Sequence, residues 1–290
     1  PLMALSSSPD AACRAAGLAC LHGLCVYGSQ GVREVLGGRG AVVDLVDAVK
    51  LEGVALPDCL QPPLCEPNCS SRAAAEALAA LASASEALRR DVGMQLCALL
   101  RSSNTALAAS ACNALKTLSE ELPAATSTLT TQGIMPPLVS HIACKPASTP
   151  ASQPQRASQH SDQGGAAQGG LQQRAVQLLW VLCRGGGEAV DAAVAAGAAE
   201  ALLQRLGSVQ EVSARVAAAA ALGPLLKKSA AARDAVSSQG GLGVLLELPR
   251  QASVGMPLCE EALGALAVLA ALHAPCRVEA ARALRQMLVR

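Results

Sequence analysis

Cys59, Cys65 and Cys69 lie close together in a Pro-rich stretch, LPDCLQPPLCEPNC. Three thiolates with a fourth donor such as His22 would make up the ligand number of a tetrahedral zinc site. The spacings lack a Cys-x2-Cys knuckle, so ordinary loop thiols are the expectation and no metal site is assigned. The remaining cysteines of the 12 are irregularly spaced. Cys20, Cys97, Cys112, Cys183 and Cys259 sit inside apolar stretches, where a free thiol behaves as a small hydrophobe. Reduced, buried thiols are expected, not a disulfide framework.

Catalytic patterns are missing. The chain has no G-x-x-x-x-G-K-[ST], no H-E-x-x-H and no G-x-S-x-G. Gly38-Arg-Gly40 resembles part of a dinucleotide fingerprint but lacks the third glycine, and it joins two expected helices where a strand-to-helix turn is required. Of the four histidines, His160 falls in a polar low-complexity stretch, while His22 and His273 fall on apolar helices and read as structural. Glu120-Glu121 and Glu260-Glu261 are adjacent pairs. Neighbours on a helix point apart, so neither makes a carboxylate dyad. The expectation is no enzyme and no cofactor.

The elements that must carry these residues are helices. Hydrophobic residues make up 51% of the chain, yet there is one Trp, one Tyr and no Phe. The apolar mass is Ala, Leu and Val, and Ala and Leu favour helices that approach closely. With a formal net charge of +1 and no basic block, nucleic acid is not an expected partner. The longest apolar runs, Val216–Leu226 and Ala262–Leu272, fall short of the roughly 20 residues a membrane-spanning helix needs. No membrane insertion is expected.

A glycine followed by a paired apolar step recurs along the chain. It reads Gly40-Ala-Val-Val-Asp-Leu45-Val46, Gly133-Ile-Met-Pro-Pro-Leu138-Val139, Gly197-Ala-Ala-Glu-Ala-Leu202-Leu203 and Gly240-Gly-Leu-Gly-Val-Leu245-Leu246. A fifth copy, displaced by one, starts at Gly93 with Leu99 and Leu100. Around Gly197 the copy resolves into a short helix (Glu188–Ala196), a second (Ala198–Leu206) and a long third that starts after the capping box Ser208-Val-Gln-Glu211 and ends near Lys228. Elsewhere, Ser83-Ala-Ser-Glu86 is expected to cap a short helix ending at Gly93, Asn104 the long helix Thr105–Leu118, and Asp10 a first long helix, Ala11–Tyr27. Pro224 should kink its helix.

Gly93 to Gly133 spans 40 residues and Gly197 to Gly240 spans 43. The two longer intervals contain the Pro- and Cys-rich residues 52–69 and the Ser/Pro/Gln/Gly-rich residues 145–170, the latter disordered in composition. Without most of each, the period returns to about 40, in the range of armadillo and HEAT repeats. Both insertions fall between second and third helices, equivalent places that would decorate one rim of a stack.

On these residues the chain resembles the armadillo repeat family. The resemblance implies an all-α fold, a right-handed superhelical α-solenoid over residues 1–290, with about five three-helix repeats and partial end units. The family's third helices carry a Trp-x-Leu-x-Asn core. Its Leu is placed here at Leu21, Leu78, Leu115, Leu182, Leu222 and Leu263, and Trp180 falls on the Trp position. The other Trp positions carry Ala19, Glu76, Asn113, Ala220 and Glu261. The Asn positions carry Gly23, Ala80, Thr117, Arg184, Pro224 and Ala265. With one Trp and no Asn left in these ladders, the basic-peptide clamp of nuclear-import adaptors is not expected.

The resemblance implies a non-catalytic protein-binding scaffold or adaptor, a subunit of a larger complex. Its protein partners would meet a concave surface at Glu76, Asn113, Thr117, Trp180, Arg184 and Glu261, with the two rim loops adding contacts. Further expectations from the family are a structural role in a ciliary or axonemal microtubule assembly and a substrate adaptor for a ubiquitin ligase. The expected location is cytoplasmic, with a cytoskeletal or ciliary site as the narrower version.

Overall fold

The computed structural model describes residues 2–6, 8, 10–50, 69–143, 162–208, 212–251 and 257–288. Among them lie 17 α-helices and no strand. They group into two compact units, Pro1–Ile134 and Met135–Arg290. The first holds α1 (Leu2–Ser6), α2 (Ala11–Tyr27), α3 (Gln30–Gly38), α4 (Ala41–Lys50), α5 (Cys69–Ala84), α6 (Glu86–Leu100), α7 (Thr105–Glu121) and α8 (Ala125–Thr131). The second holds α9 (Met135–Ala143), α10 (Asp162–Gly185), α11 (Gly187–Ala195), α12 (Ala198–Ser208), α13 (Val212–Lys228), α14 (Ala230–Ser238), α15 (Gly241–Gln251), α16 (Pro257–Leu272) and α17 (Ala274–Leu288).

In each unit the long helices stack side by side. In the first, α2 packs on α5 and α5 on α7; in the second, α10 packs on α13 and α13 on α16. Shorter helices pack on one side of them, as α4 does on α5 and α12 on α13. Small residues permit the close approach: Ala74, Ala77, Ala108, Ala111, Ala218 and Ala262 are all buried. Leucines fill the remaining space, with Leu78, Leu115, Leu179, Leu222 and Leu266 wholly buried.

The repeat glycines are the turns between the short helices. Gly40, Gly133, Gly197 and Gly240 alone have positive φ among the described residues, between 69° and 90°. In that left-handed region a side chain is disfavoured, so glycine supplies the turn. Gly93 departs from the expectation. It lies in the middle of α6, buried, and no turn forms there. A Cβ on it would fall 2.4 Å from Gln132 Oε1 and 3.1 Å from Leu129 Cδ2. Its smallness lets α8 pack against α6, and the first and second helices of that repeat are fused.

Capping follows the sequence with one shift. Asn104 Oδ1 accepts from the amides of Ala106 (3.0 Å) and Leu107 (3.3 Å), as an N-cap should. α6 is capped by Ser85, whose Oγ accepts from the Leu88 amide at 3.2 Å; the expected Ser83 instead bonds the Ala80 carbonyl from the end of α5. The Ser208–Glu211 box runs into residues 209–211, outside those described. α13 continues through Pro224 to Lys228.

The two insertions fall in the expected order, between α4 and α5 and between α9 and α10, and residues 51–68 and 144–161 lie outside those described. Residues 162–170, expected as part of the second loop, belong instead to α10. Once a helix is nucleated each further residue adds a hydrogen bond, and α10 extends through this lead-in although Gly164, Gly165, Gly169 and Gly170 lie in it, each disfavouring helix by about 1 kcal/mol relative to Ala.

Candidate functional site

The third helices set the register of any exposed row. Leu21, Leu78, Leu115 and Leu222 each lie six residues before the last residue of their helix. In α10 that place is held by Leu179, and in α16 by Leu266; both are 0% exposed, as the other four are. The burial pattern agrees, for Leu263 is only half-buried. The Leu positions expected at Leu182 and Leu263 are therefore displaced by three residues, nearly one turn. The Trp-equivalent positions become Gln177 and Gly264, and the Asn-equivalent ones Val181 and Val268.

The expected site residues divide accordingly. In the first unit Glu76, Asn113 and Thr117 keep their ladder positions and are half-buried. In the second unit Trp180 lies one residue past the buried leucine and is half-buried, while Arg184 and Glu261 are exposed. Trp180 and Arg184, four residues apart on one helix, meet each other: the guanidinium carbon lies 4.8 Å from the ring centroid, a cation–π contact. Glu261 sits one turn before Gly264 and two before Val268 in α16, on the same helix face but nearer the helix start.

A cavity of about 340 Å³ opens in the first unit. Its lining comes from the C-terminal halves of α2 and α5, from α3, and from the end of α7: Val26, Arg33, Glu76, Ala79, Ala80, Ser83, Glu121 and Leu122. Glu76 is held from two sides, accepting from Arg72 Nε at 3.0 Å and facing His22 Nε2 at 3.4 Å. Arg33 donates to Ser83 Oγ (3.1 Å) and to the Val26 carbonyl (3.0 Å), and its Nε–H is buried without a partner. The cavity thus joins a small apolar floor to two carboxylates and the side chain of Arg33.

Arg33 belongs to a set that the sequence reading missed. It is the fourth residue of α3, the helix that follows a third helix. Arg233 is the fourth of α14 and Arg277 the fourth of α17. Arg233 Nη1 donates to the Leu226 carbonyl at 2.7 Å, and Arg277 Nη2 to the Ala271 carbonyl at 3.5 Å. Each cation caps the carbonyl end of the preceding third helix, where orphan acceptors and the helix dipole favour it. Lys228 does the same for α10 through the Cys183 carbonyl, at 2.9 Å. The visible signal was an arginine five or six residues beyond each of these third helices.

The other chemistry-bearing residues have structural surroundings. His273 is buried, with Nε2 3.0 Å from Asp234 Oδ1. Burial pushes the thiols of Cys25 and Cys97 up to about 11 and that of Cys183 to about 12. Cys20 is exposed. Cys59 and Cys65 lie outside the described residues, and among those described no group of His, Cys, Asp and Glu is placed to hold a metal. No described helix is long and apolar enough to cross a membrane.

Solved structures share this architecture. An engineered protein is 21% identical, with 93% of this chain and 95% of that one covered at a TM-score of 0.60. A designed armadillo repeat protein is 18% identical, with 92% and 98% covered at 0.57. Another designed armadillo repeat protein, in complex with the peptide (KR)4, is 18% identical, with 92% and 97% covered at 0.58. No protein-family model and no curated protein matches the chain. The chain has an armadillo-like repeat fold.

Proposed function

We propose that this protein is a non-catalytic scaffold that binds protein partners through the exposed rows of its third helices, as a member of a larger assembly. The cavity beside Glu76 carries the reading. A backbone N–H suits its chemistry, since it would donate to Glu76 or Glu121. Ala79 and Ala80 keep the floor of the cavity small. The designed armadillo repeat protein solved in complex with (KR)4 supports peptide display as a use of this fold. In the second unit, Trp180 offers a rigid aromatic anchor, a frequent centre of binding energy.

A peptide library screened on the purified chain tests this, with Ala80→Phe as comparison. That substitution fills the cavity from its floor and leaves Arg33 and Glu76 in place. Selected peptides should lose at least about tenfold in affinity for the variant. Peptides that bind both proteins equally would place recognition elsewhere.

A further inference from the structure

Two third helices of the second unit carry a cation at a place where no other third helix does. Arg184 is the penultimate residue of α10 and Lys227 that of α13. The same place holds Val26 in α2, Ser83 in α5, Glu120 in α7 and Ala271 in α16. α10 and α13 pack side by side, and Lys228 Nζ, 2.9 Å from the Cys183 carbonyl, ties their ends together. Arg184 and Lys227 are therefore neighbours on one exposed edge. No acid on these helices offsets them, since residues 163–185 and 212–228 contain no Asp or Glu.

Cations at a helix end can serve the carbonyls there, but here other side chains do so. Lys228 bonds the end of α10, and Arg233 bonds the Leu226 carbonyl of α13. Arg184 lies instead over the Trp180 ring. Among the described residues neither Arg184 nor Lys227 makes an ion pair, and Glu188 at the start of α11 pairs with neither. One turn earlier, Trp180 and Gly223 share a register, each following a buried leucine. Nothing lies within 4 Å of where a Gly223 Cβ would be. Glycine inside a helix is destabilising relative to alanine; this one leaves open space on α13 at the register of the indole.

We propose that this face of the second unit binds an acidic segment of a partner protein, its carboxylates on Arg184 and Lys227 and its chain against Trp180 over Gly223. This rests on the reading of the third-helix rows as a protein-binding surface, and it gives the chemistry of one partner. A guanidinium stacked on a ring keeps its N–H edge free and already oriented for a carboxylate. Lys227 meets a second carboxylate as a point charge. Packed helix axes lie roughly 8–10 Å apart, the span of about three residues of extended chain, so acids at that spacing reach both cations.

Anisotropy of a labelled peptide of repeated Glu-Ser-Ser triplets tests this on the full chain, with a matched Lys-Ser-Ser peptide and a single-stranded oligothymidylate as comparisons. The acidic peptide should bind, weaken as salt rises, and shift the emission of Trp180, the sole tryptophan. Arg184→Gln and Lys227→Gln, both at exposed positions, should each weaken it about fivefold. The double variant should bind it no better than the Lys-Ser-Ser peptide, with circular dichroism unchanged throughout. Ala80→Phe, in the first unit, should leave acidic binding as it is. Three results overturn the proposal: no binding of the acidic peptide at low salt, a double variant that binds it like the wild type, or an oligothymidylate that binds more tightly through the same two residues. Library peptides still sensitive to Ala80→Phe would, in each case, leave the scaffold reading standing.

Discussion

Arg233 reaches back across its turn to the main-chain carbonyl of Leu226, 2.7 Å away, and ties α14 to the end of α13. Arg33 makes the same tie between α3 and α2. Replacing either with Met keeps most of the aliphatic stem and removes the charge-assisted bond. Each substitution should cost about 1–2 kcal/mol in urea unfolding. Arg277→Met, which removes a 3.5 Å exposed contact, should cost less than about 0.5 kcal/mol. Equal effects at all three positions would show that the short carbonyl bonds do not set the stabilisation.

Glycines in this chain fall into chemically different groups, and substitution separates them. Gly240 has a φ of 69° with open space around its Cβ site, so Gly240→Ala should lose about 1–2 kcal/mol through backbone strain alone. Gly264 is helical and equally open; Gly264→Ala should gain about 0.5–1 kcal/mol. Gly93→Val meets Gln132 and Leu129, and overpacking there should cost about 1–3 kcal/mol. Thermal melts of the three variants should therefore move in two directions.

Thiol chemistry follows burial. Site-resolved alkylation of the native protein should modify Cys20 and leave Cys25, Cys97 and Cys183 intact until denaturant is added. Burial raises the pKa of these three thiols in the folded state from the ordinary thiol value of 9.0 to about 11–12. Below pH 9 both states keep the proton and the stabilisation is complete. As pH rises from 9 through 11–12 the unfolded chain ionises first, so stability falls. Replacing Cys183 with Ala should flatten that alkaline decline, measured relative to the variant's own stability at pH 7.

Trp180 is the sole tryptophan of the chain, so emission reports on one place. Arg184→Ala removes the cation over its ring and should shift the fluorescence while costing no more than about 1 kcal/mol. A ligand that occupies the third-helix row of the second unit should change the same signal. A ligand that binds with the emission unmoved would assign its contacts to the first unit.

Much of this fold was legible because its turns demand glycine. Gly40, Gly133, Gly197 and Gly240 each mark a left-handed residue, and no competing residue type serves there as well. Gly93 misled because glycine has a second use: it admits a neighbouring helix, and a single sequence does not separate the two. The register of α10 was ambiguous for a different reason. In Leu178-Leu179-Trp180-Val181-Leu182, leucines three residues apart both become buried, so the motif fits at either, and only the helix end at Gly185 chooses. The lone tryptophan drew the alignment toward itself. The cavity at Arg33 was hidden because its lining is assembled from four separate helices, while the arginine that marks it carried no family motif.

The fusion at Gly93 also has a mechanical side. Elsewhere a left-handed glycine divides the first two helices of a repeat, and a chain under load bends at such joints before its helices yield. α6 has no joint for fifteen residues, and its midpoint is pinned by the Gln132 side-chain amide, which donates to the Arg90 carbonyl at 2.8 Å. Tension along that repeat would therefore meet one continuous helix, where the other repeats present a change of direction at a glycine turn.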